Sequence, residues 1–292
     1  MKSRVQVAVI PAAGRGSRFL PLTKAIPKEL LPVVDRPVIH YVVLEALEAG
    51  VEHIVMVVAP GKGALEEYFA EAPVVERALR EQGRRAQALE LGRLTRRGQF
   101  SFVVQEEPKG LGHAVLCARE AVGRQPFAVL LPDDLMVGSE PPLAQLLREW
   151  RQRPASYVAV EEVPWERVSA YGVVKPAGDG GRDDRVLRVG GLVEKPRREE
   201  APSNLGIVGR YVLMPEVFSA LEETRPGAIG EVQLTDALAR LAEREPVYAY
   251  RLSGTRLDCG TPLGLLRASL VLALGRRDTA REVRRWLREM GE

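Results

Sequence analysis

Apolar runs and helical repeats alternate along this chain, and they predict most of its secondary structure. Runs of mostly β-branched residues are typical of buried strands. They occur at 5–10, 53–59, 100–105, 127–131, 155–163, 171–175, 186–194, 206–213 and 247–252. Apolar residues three or four positions apart predict helices, here at 38–49, in much of 62–96, and at 114–121, 142–152, 215–223, 232–244 and 278–290. Strand, helix and strand in succession predict a βαβ unit with a parallel sheet at the start of the chain.

Nothing in the sequence divides the chain into parts. It has 292 residues and shows no internal repeat, low-complexity tract or clear linker, so we expect one α/β domain covering 1–292. Thr261 followed by Pro262 predicts a helix start. The amphipathic tail helix, 278–290, is rich in arginine and suits packing on the body or on a subunit partner.

Composition narrows the function classes. Hydrophobic residues make up 46%, charged residues 28%, and the net charge is only +3, which is typical of a globular enzyme or binding protein. Aromatic residues, at 5%, are too sparse for a base-stacking surface, and no apolar run reaches the roughly 20 residues of a membrane span. Two distant cysteines and no leader pattern favour the cytoplasm. We therefore expect no nucleic-acid or membrane partner.

The loop after the first strand has the residues of a phosphate site. Gly14 and Gly16 are followed by three cations, Arg18, Lys24 and Lys28. Small residues let backbone N–H groups approach an anion, and nearby Arg and Lys neutralise it. A Walker A motif is excluded because no Gly-Lys-Ser/Thr follows, and a dinucleotide fingerprint is disfavoured because Phe19 stands at the third glycine position.

Lysine is scarce here, which singles out the few that occur. Seven of the 42 Lys and Arg residues are lysine, and a retained lysine suggests that a compact ammonium is needed at that place. We apply this to the four that fall inside motifs, Lys24, Lys28, Lys109 and Lys195, although chance would give the same pattern.

Two aspartates follow predicted strands. Asp133 follows the strand at 127–131, and Asp258 precedes Cys-Gly-Thr-Pro. Each could simply cap the next element, or the two could share a hard cation such as Mg²⁺. Asp134 lies beside Asp133, so the sequence does not decide which of the two would bind the cation. Lys195 lies next to Glu194, where an ordinary surface ion pair is the alternative to a ligand contact.

The chemistry suggested is phosphate-rich and has no Ser/His/Asp or Cys/His nucleophile. A phosphate monoester has a second pKa near about 6 and is largely a dianion at neutral pH, so it needs no general base when it attacks. It needs cations, because one anion must approach another.

At this point the sequence resembles a known family, the bacterial UTP–glucose-1-phosphate uridylyltransferases (UDP-glucose pyrophosphorylases) of the sugar-nucleotide pyrophosphorylase superfamily. Eight stretches in the same order carry the resemblance and span nearly the whole chain: PAAGRGSRFLPLTKAIPKELLPVVDRP, EEPKGLGHAVLCA, VLLPDD, AYGVVKP, VEKP, APSNLGIVGRYVL, GEVQLTDAL and DCGTPLG. Ser17 stands where the family usually has threonine, which keeps the hydroxyl.

The resemblance implies a Rossmann-like three-layer nucleotide-diphospho-sugar transferase fold with a mixed, mostly parallel central sheet. It also implies Mg²⁺-dependent attack of glucose-1-phosphate on the α-phosphorus of UTP, which gives UDP-glucose and pyrophosphate. Members generally form homodimers or homotetramers.

The resemblance also assigns residues. Arg18 and Lys28 would hold the triphosphate, and Asp133 and Asp258 would hold Mg²⁺. The uracil site and its loop would be formed by Ala13, Gly14, Gly16, Glu29, Gln105 and Gly110. The sugar phosphate would be held by Gly172, Glu194, Lys195 and Asn204.

Two alternatives remain at this stage. One is glucose-1-phosphate thymidylyltransferase activity with dTTP, whose enzymes usually carry a Gly-Leu-Ala-Gln stretch where this chain has Gly110-Leu111-Gly112-His113. The other is a catalytically silent sugar-nucleotide-binding subunit, which the presence of both carboxylates and all loop cations disfavours.

Overall fold

The computed structural model describes residues 4–178, 184–227 and 230–291. The nine predicted strands all lie in one sheet and begin and end close to their predicted positions. In chain order the strands are β1 (Val7–Ala12), β2 (Pro32–Val33), β3 (Arg36–Pro37), β4 (His53–Val58), β5 (Gln99–Val104), β6 (Phe127–Leu130), β7 (Asp134–Val137), β8 (Ser156–Glu162), β9 (Gly172–Pro176), β10 (Val186–Glu194), β11 (Leu205–Leu213), β12 (Val247–Arg251) and β13 (Thr255–Asp258).

The helices also lie close to their predicted places. They are α1 (Val38–Glu48), α2 (Gly63–Tyr68), α3 (Pro73–Glu81), α4 (Arg85–Leu91), α5 (Leu111–Cys117), α6 (Arg119–Val122), α7 (Pro142–Gln152), α8 (Val217–Glu223), α9 (Leu234–Arg244), α10 (Pro262–Gly275) and α11 (Ala280–Glu289). Thr261 is the N-cap of α10, and its side chain accepts a hydrogen bond from the Gly264 N–H, as the Thr-Pro step predicted. None of the helices in the described ranges is long and apolar enough to cross a membrane.

Within the described residues, nine strands form one sheet in the order β5-β4-β1-β6-β11-β8-β12-β10-β9. The pairs from β5 to β6 and the pair β12–β8 are parallel. Strands β11 and β10 run against their neighbours, so half of the eight neighbouring pairs are antiparallel. The sheet is therefore mixed, as expected, but "mostly parallel" describes only its first half.

Helices pack on both faces of this sheet because its strands alternate between two apolar cores. Along β1, Ala8 and Ile10 join one core and Val7 and Val9 join the other, as the period-two geometry of a strand requires. The first core is completed by α1 and α7, and the second by α5, α8 and α9. Buried on both sides, β1 reads as a continuous apolar run.

A small sheet that the sequence analysis missed matters for the site. Strands β7 and β13 pair antiparallel, with Asp258 opposite Asp134. Each strand has only four residues, and the two are far apart in the chain, so neither gives a periodic signal strong enough to detect. The pair places Asp258 beside Asp133, which immediately precedes β7.

Because β1, β4, β5 and β6 are parallel, the loops that follow them meet at one edge of the sheet. Open α/β sheets bind ligands at the carboxyl ends of their strands. At this edge lie the glycine loop after β1, Lys62 after β4, Gln105 after β5 and Asp133 after β6.

Candidate active site

The loop after β1 folds back on itself through three short 3-10 turns, at Ser17–Phe19, Leu22–Lys24 and Lys28–Leu30. Gly16 has φ +65°, and a Cβ atom there would lie 3.0 Å from the Lys28 Cβ. The Thr23 hydroxyl donates to the Gly16 carbonyl at 2.8 Å. Gly16 is thus needed for a left-handed turn and for close packing, and this packing brings Lys28 back beside the start of the loop.

Lys28 and Asp133 form an ion pair at the centre of the site, with the Lys28 Nζ 2.5 Å from the Asp133 Oδ2. Burial lowers the pKa of Lys28, but the carboxylates of Asp133 and Glu29 outweigh it and raise that pKa above its ordinary value. Burial raises the pKa of Asp133, but Lys28 outweighs it and holds that pKa below its ordinary value. Both groups are therefore charged at neutral pH.

Asp133 and Asp258 face each other across Gly260. A Cβ atom on Gly260 would lie 3.0 Å from the Asp258 Oδ1 and 3.3 Å from the Asp133 Oδ2, so only glycine leaves the space between these oxygens open. The backbone ties the pair together, because the Cys259 N–H donates to the Asp133 carbonyl at 2.7 Å. Arg18 reaches the same place and donates to the Gly260 carbonyl at 3.4 Å.

These two carboxylates fit a hard divalent cation. Among the described residues, no group of three or more His, Cys, Asp or Glu side chains could hold a metal ion. Mg²⁺ typically takes only one or two carboxylates and completes its octahedron with water and substrate phosphates. A two-carboxylate site beside Arg18 and Lys28 is therefore suited to a metal that binds together with a phosphate ligand.

The structure separates Asp133 from Asp134, which the sequence could not. Asp134 is buried and its Oδ1 lies 2.6 Å from the Arg256 Nη2. Burial, opposed by Arg256, raises the pKa of Asp134 to about 6. Asp134 thus has a buried cation as its partner, whereas Asp133 faces Asp258 and Lys28.

A cavity of about 610 Å³ opens beside the glycine loop. Its lining includes Ala13, Gly14, Lys28, Gln105 and Gly110, which are five of the residues expected to bind the nucleotide. Arg15 lines it too, and the sequence analysis did not single it out. The volume is within the usual range for a small-molecule site.

Gly110 forms part of the wall of this cavity. It has φ +97°, and a Cβ atom there would lie 2.8 Å from the Val232 carbonyl oxygen. The adjacent backbone pairs with the same segment, since the Val232 N–H donates to the Lys109 carbonyl at 2.8 Å. Gln105 donates to the Gly110 carbonyl at 3.2 Å, so its amide is fixed at the cavity wall.

A second cavity, of about 350 Å³, continues from the first, because Asp133 lines both. Gly172, Glu194, Arg18 and Asp258 line it. A Cβ atom on Gly172 would lie 2.7 Å from the Thr235 Oγ1 and 3.1 Å from the Glu194 Oε2, so the glycine makes room for these polar atoms. Thr235, Arg167 and Arg256 also line this cavity and were not foreseen.

Four expected residues lie outside both linings, and one of them is Gly16, which shapes the loop. Glu29 is buried against Lys62, with 2.9 Å between the Glu29 Oε2 and the Lys62 Nζ. Asn204 donates to the Val163 carbonyl at 3.2 Å. Lys195 is half-exposed beside the second cavity, with its Nζ 3.4 Å from the Glu194 Oε1.

Lys62 is the main residue that the sequence analysis missed. Its Nζ donates to the Ala12 and Gly14 carbonyls as well as to Glu29. The scarcity of lysine was a signal that could have found it, but the search was confined to lysines within motifs, and Lys62 belongs to none.

Comparison with known proteins shows the family of this chain. The model of the nucleotidyl transferase family matches residues 7–273, and the chain belongs to that family. A UTP–glucose-1-phosphate uridylyltransferase of Bacillus subtilis is 45% identical over 271 residues, which cover 93% of this chain and 92% of the relative.

Solved structures give the same picture. A UTP-bound UGPase from Acinetobacter baumannii is 40% identical, covers 98% of this chain and 99% of its own, and superposes with a TM-score of 0.90. A UDP-glucose pyrophosphorylase complexed with UDP-glucose is 41% identical, covers 94% of this chain and all of its own, and gives a TM-score of 0.84.

Proposed function

We propose that this chain transfers the uridylyl group of UTP to glucose-1-phosphate, which yields UDP-glucose and pyrophosphate. The observation that carries the proposal is the pair of cavities that meet at Asp133, one along the glycine loop and one along Gly172 and Glu194. Relatives that match this chain almost end to end are named for that reaction, and related structures hold UTP or UDP-glucose.

In the proposed reaction, an oxygen of the sugar phosphate forms a bond to the α-phosphorus of UTP. The bond from that phosphorus to the oxygen bridging to the β-phosphate breaks, and pyrophosphate leaves with the electron pair. Arg18 and Lys28 neutralise the triphosphate so that one anion can approach the other. No side chain has to remove a proton from the attacking phosphate.

Asp133 and Asp258 would hold Mg²⁺. When bound, the ion would offset the negative charge that builds up on the phosphates during the transfer. The ion pair between Lys28 and Asp133 keeps Asp133 ionised in its absence, so that carboxylate is ready to bind a cation.

In the nucleotide cavity, Ala13, Gly14, Gln105 and Gly110 would contact the uracil, while Gly16 shapes the loop. Glu29 would also contact the uracil, since its Oε1 is buried with no hydrogen-bond partner within the described residues while its Oε2 pairs with Lys62. In the second cavity, Glu194 would accept sugar hydroxyls beside Gly172, and Lys195 would pair with the phosphate. Asn204 would support this site through Val163.

The Rossmann-like three-layer description, a cytoplasmic location and a homo-oligomeric state also belong to this proposal. Support for the first is that helices pack on both faces of the sheet. A homodimer is favoured over a monomer by exposed apolar residues on α10, such as Leu263 and Leu266.

Turnover tests the proposal directly. Purified protein is given glucose-1-phosphate, Mg²⁺ and either UTP or dTTP, and pyrophosphate release is measured. We expect UTP to give the larger kcat/KM. A clear preference for dTTP would replace the proposal with thymidylyl transfer, and no turnover with either nucleotide would favour a silent sugar-nucleotide-binding subunit.

A further inference from the structure

Lys62 is placed by the fold directly beneath the glycine loop. It follows β4, which pairs in parallel with β1 so that Val58 lies opposite Ala12. Its Nζ donates to the Ala12 carbonyl at 2.5 Å, to the Gly14 carbonyl at 2.8 Å and to the Glu29 Oε2 at 2.9 Å. An ammonium has three N–H donors, so all three are engaged by one short stretch of chain.

These contacts orient the peptide groups of the loop. In a planar trans peptide the C=O and the following N–H point in opposite directions. Because Lys62 binds the Ala12 and Gly14 oxygens, the N–H groups of Ala13 and Arg15 point away from Lys62. Both residues line the nucleotide cavity, and no hydrogen bond within the described part of the chain uses either N–H.

Glu29 is the anionic partner of the Lys62 ammonium. Its side chain is 1% exposed, and that of Lys62 is 12% exposed. Burial raises the pKa of Glu29, against the pull of Lys62 and of Lys28. A buried ammonium needs an anionic partner, and Glu29 supplies it next to Lys28, so Lys62 connects the glycine turn to the segment that carries Lys28.

We propose that Lys62 is a positioning residue for the nucleotide, holding the Ala12 and Gly14 carbonyls inward so that the N–H groups of Ala13 and Arg15 face the bound nucleotide. Glu29 supplies the anionic partner that keeps the Lys62 ammonium in this position. The inference rests on the proposed function only in requiring that the cavity beside the loop binds a nucleotide.

Three variants test this: Lys62→Met, Glu29→Gln and the double variant Lys62→Met/Glu29→Gln. The double variant is the key one, because it removes the cation without leaving an unpaired buried carboxylate. Affinity for UTP with Mg²⁺ is measured by calorimetry, KM for glucose-1-phosphate is measured at saturating UTP, and folding is followed by thermal unfolding. Lys175→Met, which removes an exposed lysine, is the matched control.

We expect the double variant to fold and to bind UTP about 10- to 100-fold more weakly, since one or two nucleotide hydrogen bonds are lost. Its KM for glucose-1-phosphate stays within about twofold of wild type, which a general loosening of the fold would not allow. Glu29→Gln alone weakens UTP binding less than the double variant does, because the two carbonyl contacts of Lys62 remain.

A folded double variant with wild-type UTP affinity would overturn the role of Lys62. A Glu29→Gln variant that binds UTP as weakly as the double variant does would overturn it as well, because removing Lys62 would then have no effect of its own. If the double variant does not fold, Lys62→Arg replaces it: a guanidinium cannot serve all three acceptors from one atom, so undiminished UTP affinity would again refute the inference. If wild type binds another nucleotide instead, the proposed function fails, and the same comparison is made with that nucleotide.

Discussion

Two adjacent aspartates show how local placement gives one residue type two roles. The side chain of Asp133 is 29% exposed and pairs with Lys28 at the junction of the two cavities. The side chain of Asp134 is 8% exposed and pairs with Arg256, which also contacts Glu161 and the Tyr171 hydroxyl. The first carboxylate is available to a metal and its phosphates, whereas the second is part of a buried network.

Asparagine at these two positions should therefore have different effects. Asp133→Asn is expected to lower kcat by at least about 100-fold, because the Mg²⁺ site loses a charged ligand, with little change in thermal stability. Asp134→Asn should be destabilised by about 3 kcal/mol, since Arg256 loses its most buried anionic partner and keeps only Glu161. Pyrophosphate release and thermal unfolding of both variants check this. Full activity in Asp133→Asn would contradict the metal assignment.

Lys195 is held in a backbone conformation that few side chains adopt. Its φ is +46°, and its N–H donates to the Tyr171 carbonyl at 3.0 Å. Non-glycine residues with positive φ are uncommon, and strained backbone clusters at functional sites. The ammonium is half-exposed, so its pairing with Glu194 contributes little to stability. A ligand contact explains better why a lysine stands here.

Lys195→Ala is accordingly expected to abolish detectable pyrophosphate release at ordinary glucose-1-phosphate concentrations while the protein unfolds at its wild-type temperature. The loss should appear mainly as a raised KM for glucose-1-phosphate, because the missing charge faces the sugar phosphate. Lys175→Ala on β9 serves as control, since that lysine is exposed. Wild-type kinetics in Lys195→Ala would refute the assignment.

At the scale of elements, β9 and β10 bring Gly172 and Glu194 together as a register pair. The hairpin also touches β11, where Gly206 lies opposite Val173, and this contact places Gly172 against Ile207 and Thr235. A side chain at Gly172 would fill the space that the second cavity needs next to Glu194.

Gly172→Ala should therefore raise KM for glucose-1-phosphate by about tenfold or more, since a methyl group would be 2.7 Å from the Thr235 Oγ1. UTP affinity should change little, because the nucleotide cavity does not include Gly172. Gly191→Ala on β10 is the matched control, where a Cβ atom would meet only Lys175, at 3.8 Å. Equal effects of the two substitutions on KM would contradict this reading of the cavity.

How well the sequence predicted these elements depended on whether their signal was local. The strands of the main sheet are apolar runs, so β4 and β6 were placed within one residue. The ribbon of β7 and β13 depends on pairing between distant short segments, which periodicity cannot show. The helix expected at 114–121 begins instead at Leu111, because Gly110 makes the turn immediately before it.

The candidate site follows the same rule. Gly14, Gln105 and Asp133 follow recognisable strands, so their convergence at one edge could be expected from parallel topology. Lys62 acts through contacts with Ala12, Gly14 and Glu29 that only the folded chain brings together. The choice of Asp133 over Asp134 depended on which way each side chain points, and no sequence pattern carries that information.

On the surface of the molecule, α10 carries a stripe of exposed apolar residues. Leu263, Leu266 and Leu270 are 78%, 65% and 37% exposed, and their spacing places them on one face of the helix. On the opposite side Ala268 joins the core. α11, separated from α10 by four residues, adds Trp286 and Met290, 49% and 71% exposed. The tail helix was expected to pack on the body or on a subunit partner, and α10 offers the stronger apolar face.

We expect this stripe to be the contact between two copies of the chain, because contiguous apolar surface on a folded protein usually marks an interface. Leu266→Asp should convert a dimer into a monomer, measured by light scattering coupled to size-exclusion chromatography at micromolar concentration. Val74→Asp on α3 is the control, since Val74 is equally apolar and 80% exposed but lies on another surface. A dimer that survives Leu266→Asp, or that dissociates equally in Val74→Asp, would contradict the assignment. The monomer should keep its turnover per chain, because Leu263, Leu266 and Leu270 line neither cavity.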